Sequence, residues 1–64
     1  MNANRHFDRL VALVEIDRAR KALAWTEAFL ADKTNDLDAR EYFARCLPGQ
    51  RKAFQDAKMQ LANA

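Results

Sequence analysis

Cys46 and His6 are the only thiol and the only imidazole in the chain. Together they could form a nucleophile–base dyad, which requires hydrogen-bond contact between sulfur and ring nitrogen. The elements that would have to position them keep them apart. If a second helix runs back along a first from a loop at 33–37, Cys46 lies opposite Ala22. His6 is then sixteen residues further along the same rigid helix, about 24 Å away. Cys46 reads as a small buried hydrophobe and His6 as a surface residue near a helix end. One cysteine excludes a disulfide within the chain, and one Cys with one His cannot supply the four ligands of a structural zinc site.

The carboxylates give no catalytic pattern either. Asp8, Glu15, Asp17, Glu27, Asp32, Asp36, Asp38, Glu41 and Asp56 are spread along the chain, and none falls in the spacing of a catalytic pair or a calcium loop. With Gly49 as the sole glycine there is no phosphate-cradling loop. The sequence therefore offers no catalytic, metal or cofactor site and points away from an enzyme.

The basic residues carry the functional hint. Residues 1–32 hold five basic and five acidic side chains and are neutral. From Arg45 onward, Arg45, Arg51, Lys52 and Lys58 face one acidic residue, Asp56. Arg51, Gln55 and Lys58 follow at i, i+4 and i+7 and share a helix face. Arg, Lys and Gln are side chains that reach phosphates and base edges. The sequence pI of about 9.0 permits nucleic-acid binding, while the net charge of only +2 does not require it.

The elements that carry these residues are helical. Phe43, Leu47, Gln50, Phe54, Ala57 and Leu61 step by four, three, four, three, four along one face of a helix. Half of the residues are apolar, serine is absent, and Pro48 and Gly49 are the only breakers, so the chain is expected to be ordered. A first helix is expected from about Asn4 to Asp32, with Asn2 or Asn4 as N-cap. It carries two apolar seams. Phe7, Leu10, Val11, Val14, Trp25, Ala28 and Phe29 form one, interrupted by Arg18 and Lys21. Ala12, Ile16, Ala19, Leu23 and Leu30 form the other. One seam can face the same chain; the other needs a second surface.

A second helix should start at a capping box, Asp38 to Glu41, flanked by Leu37 and Tyr42 as a hydrophobic staple. Pro48-Gly49 then suggests an interruption, because proline inside a helix costs about 3 kcal/mol. A third helix would run from about Gln50 to Ala62. A single kinked helix, giving a helical hairpin, is the alternative, since the apolar ladder keeps its phase across Pro48-Gly49.

The expectation is one all-α domain over residues 1–64, either a hairpin or a three-helix subunit, dimerising into a bundle. A folded chain of this size buries only about 60% of its unfolded surface, so a second copy is the natural source of further burial. Ile16, Ala19, Leu23 and Leu30 are the expected dimer contacts. There is no apolar run of membrane-span length and no signal-peptide pattern, which fits a cytoplasmic protein without membrane contact. Two functions compete. One is a small dimeric regulator binding DNA or RNA through Arg45, Arg51, Lys52, Gln55 and Lys58. The other is an adaptor whose spare apolar seam engages another protein, with no nucleic-acid contact.

Overall fold

The computed structural model describes residues 2–63, with side chains from Arg5 onward. Two helices make up the fold, α1 (Asn2–Ala31) and α2 (Leu37–Ala62), joined by a short turn. No strand occurs among the described residues. The helices pack side by side as an antiparallel hairpin whose Cα trace measures 51 × 14 × 12 Å.

The turn is set by side chains that satisfy helix ends. The Asp32 carboxylate accepts from the Thr34 amide at 3.0 Å and the Thr34 hydroxyl at 2.6 Å. Asn35 donates its side-chain amide to the Phe29 carbonyl at 3.0 Å, one of the last-turn carbonyls that α1 leaves unpaired. Asp36 is the N-cap of α2 and accepts from the Ala39 amide at 3.1 Å.

The cap thus lies two residues before the expected Asp38, which instead sits in the first turn and favours the positive end of the helix dipole. The staple moves with it. Relative to Asp36 the staple positions are Asn35 and Arg40, and these are joined by a hydrogen bond from Arg40 Nε to the Asn35 carbonyl at 3.1 Å. Leu37 and Tyr42, freed from that role, are exposed. The N-cap expected at Asn2 or Asn4 lies outside the described side chains.

Pro48 does not interrupt the second half. α2 runs unbroken through it, so the described residues form no third helix and the subunit is a two-helix hairpin. Proline removes one amide donor and leaves the Ala44 carbonyl without its helical partner. Ala44, Pro48 and Gly49 are all at least partly accessible, so water can take up that carbonyl. Gly49 has no positive φ, and a Cβ there would meet nothing within 4 Å. The ladder decides the outcome. Ala57 is buried, and Phe43, Leu47, Gln50, Phe54 and Leu61 are half-buried, a single phase held across the proline. Continuous packing on α1 outweighs the local penalty.

The core is thin. Among the described residues only Ala12, Ala57 and Thr26 are buried. Ala12 and Ala57 are small residues that let the open end of the hairpin close. Thr26 is fully covered and its hydroxyl has no hydrogen-bond partner, nor has the side-chain oxygen of Gln50. Such groups reduce stability. The turn end carries more packing: Phe43 meets Trp25 and Phe29, each with ring centroids 5.0 Å apart, and Tyr42 at 5.1 Å.

Candidate nucleic-acid interface

α2 fixes every basic residue of interest on one rigid rod. Arg45, Arg51, Lys52, Gln55 and Lys58 are all exposed. The continuous helix joins Arg45 to the frame that Arg51, Lys52, Gln55 and Lys58 would share even with a break at Pro48-Gly49. Arg51, Gln55 and Lys58 follow at one and two turns, spanning about 10 Å along the axis.

Electrostatics divides the five. Lys52 Nζ donates to Asp56 at 2.9 Å, and that hydrogen bond, followed by the carboxylate's charge, raises the Lys52 pKa above its ordinary value. Lys52 is therefore partly neutralised by its own helix. Lys58 Nζ sits 4.5 Å from the centroid of the Phe54 ring, a cation–π contact that leaves the ammonium available on its outer side. Arg45 and Arg51 take part in no salt bridge among the described residues. Asp56 is five residues from Arg51 and lies on another side of α2, so it does not cancel the Arg51–Lys58 strip.

α1 behaves differently. Asp17 holds both Arg20 and Lys21 at 2.8 Å, and the hydrogen bonds from Lys21 and then Arg20 lower its pKa. Arg18 lies 3.9 Å from Glu15. The cations in the middle of α1 are thus paired along their own helix, whereas Arg5 and Arg9 near its start, like Arg45 and Arg51 on α2, take part in no salt bridge among the described residues.

The four residues expected to join two copies have another location. Ile16, Ala19 and Leu23 are half-buried, as is Leu30, in phase with buried Ala12 and Thr26. The hairpin itself covers that seam. The seam it leaves open is the other one: Phe7 is 64% exposed, Val14 55% and Trp25 55%. Tyr42 and Arg51 are nine residues apart on α2, two and a half turns, so the open aromatic side and the basic strip are on opposite faces. The seam pattern was legible in the sequence, but which seam faced inward depended on the register of α2, which periodicity alone does not give.

Cys46 is half-buried in the middle of α2, and His6 is exposed near the open end of α1. The antiparallel register keeps them apart. Among the described residues no three of His, Cys, Asp and Glu come together as a metal site. No helix described is long and apolar enough to cross a membrane.

The chain matches no protein-family model, no curated protein and no solved structure.

Proposed function

We propose that this chain is a small dimeric regulatory protein that binds DNA or RNA through the exposed basic strip of α2. The observation that supports this reading is the row Arg51, Gln55, Lys58 on one face of an unbroken helix, with no carboxylate of the same helix segment on that face. Arg51 offers a planar fork for phosphate or guanine, Gln55 can pair with a base edge, and Lys58 supplies a point charge. Arg45 and Lys52 extend the positive region toward the outer side of α2. In a dimer the strip occurs twice, which raises avidity without any new contact.

The test is a titration of labelled duplex DNA and duplex RNA at low salt, followed by anisotropy. Arg51→Ala and Lys58→Ala should each weaken binding with helical content unchanged. Where the side chain removed had met a phosphate, the salt slope should fall by about one. Arg51→Lys should be mild for a phosphate contact and severe for a bidentate base contact, because only arginine has the fork. Absence of affinity of the wild-type chain for both duplexes at low salt would overturn the reading.

A further inference from the structure

A hairpin with this little interior has an uncovered side, and that side carries a projection at one end and a recess at the other. The projection is the aromatic group near the turn, where Trp25 stacks on Phe29 at 5.3 Å and Tyr42 flanks Phe43, with Trp25 and Tyr42 more than half exposed. The recess lies near the open end, a groove of about 340 Å³ lined by Phe7, Leu10, Val11, Val14 and Glu15. Trp25 and Val11 belong to the same seam of α1, fourteen residues and about 21 Å apart.

The geometry points to a second copy of this chain as the occupant, packed antiparallel so that the Trp25–Tyr42 edge of each hairpin fills the Phe7–Val14 groove of the other. The inference rests on the dimer of the proposed function and specifies its interface. Three observations carry it.

The first is self-complementarity. A two-fold axis requires that if residue i meets residue j, j also meets i. The residue midway between Trp25 and Val11 is Arg18. An axis passing there sets Trp25 against the partner's Val11, Phe29 against the partner's Phe7 and Val14 against the partner's small Ala22. Projection meets recess twice in one operation.

The second is charge. Arg18 lies on the line of this seam, with Glu15 on one flank and Lys21 on the other. Lys21 is held by its own Asp17 at 2.8 Å, whereas Glu15 is held only at 3.9 Å by its own Arg18, so each Glu15 is free to respond to the partner's Arg18 beside the axis. Arg18 meets its own copy near the axis with a Glu15 on either side. A parallel pairing would instead stack each of the three on its own like charge.

The third is area. The Cα outline of 51 by 14 Å bounds the footprint of this face at about 700 Å², the same order as the roughly 800 Å² per partner of a standard interface. The basic strip, on the opposite side of α2 from Tyr42, stays open in this arrangement.

Sedimentation of the full chain at micromolar concentration, with three variants, tests the arrangement. Trp25→Glu removes an aromatic anchor and buries a charge at two symmetric places, and should weaken dimerisation about a hundredfold or more. Leu13→Glu, two residues from Val11 on the far side of α1, should leave the dimer intact. Arg18→Cys in a Cys46→Ala background should give a disulfide-linked dimer on oxidation; it replaces an exposed side chain, so its reading does not depend on how well Trp25→Glu folds. A wild-type monomer throughout this range overturns the inference together with the dimer. A dimer that survives Trp25→Glu and does not cross-link at Arg18 overturns the interface alone and leaves the dimeric reading standing. The duplex titration on the same samples reports separately on nucleic-acid binding.

Discussion

The turn end and the open end of this hairpin are held by different physics. At the turn, hydrogen bonds tie residues 29 to 40 together, and the contact of Phe43 with both Trp25 and Phe29 ties the helices to each other. At the open end, the tie is the close approach allowed by Ala12 and Ala57, while Phe7, Leu10 and Met59 remain exposed. Large side chains cross the gap at one end; small ones shorten it at the other. The second strategy leaves the large apolar residues pointing elsewhere, which is why the groove forms there.

The strongest way to break this contrast is Phe43→Ala. It removes the ring that both α1 aromatics contact. Phe→Ala in a core costs about 3–5 kcal/mol, and aromatic pairs add about 0.5–1.5 kcal/mol each. Because Phe43 is only half-buried, the low end of that range is expected, about 3 kcal/mol, read as a fall in the urea midpoint. A change as small as that of an exposed alanine substitution would mean the turn end is not held by its rings.

The matching change at the open end is Ala12→Leu. There the failure should come from excess volume, because Ala12 has no exposed surface and a leucine must push α2 away. Overpacking costs about 1–3 kcal/mol. The damage should also be local: amide exchange should accelerate at residues 54 to 62 and stay slow around residues 36 to 43. Uniform acceleration along the hairpin would show that the two ends unfold as one.

The contrast was partly readable in the sequence. The ladder from Phe43 to Leu61 identified the inward face of α2 correctly because period survives any local irregularity. The break expected at Pro48 does not occur, and the alternative, one continuous helix, does, because the burial that six phased residues supply exceeds the local cost of the proline. The cap slipped from Asp38 to Asp36 because three carboxylate or amide side chains, Asn35, Asp36 and Asp38, all suit the position, and hydrogen bonding to Asn35 chose among them. The basic strip was legible from spacing alone. Its partial neutralisation at Lys52 follows from the same kind of spacing, since Lys52 and Asp56 are an i, i+4 pair inside the expected third helix, although only the structure shows the two side chains in contact.

The smallest effect expected is a difference in pH response between the ends. Folding lowers the pKa of Asp32, chiefly through the Thr34 hydroxyl and then the Thr34 amide, so the ionised carboxylate is favoured in the folded turn. That contribution is complete above the ordinary carboxylate pKa and disappears as pH falls through the lowered folded value. Lys52, in the second half of α2, has the opposite sense. Its pKa is raised by Asp56, so its contribution is complete below the ordinary lysine value and disappears as pH rises through the raised one. Both groups are exposed, and solvent screening keeps each contribution small. Acid should therefore loosen the turn first, and strong alkali the second half of α2. Residue-resolved amide exchange across the acid range, expressed as protection relative to each amide's intrinsic rate at that pH, should show protection lost at Thr34 and Asn35, with Asp32→Ala flattening the response there. An acid response unchanged by Asp32→Ala would place the acid-sensitive contact elsewhere, with the Asp17 pairs to Lys21 and Arg20 the next to remove.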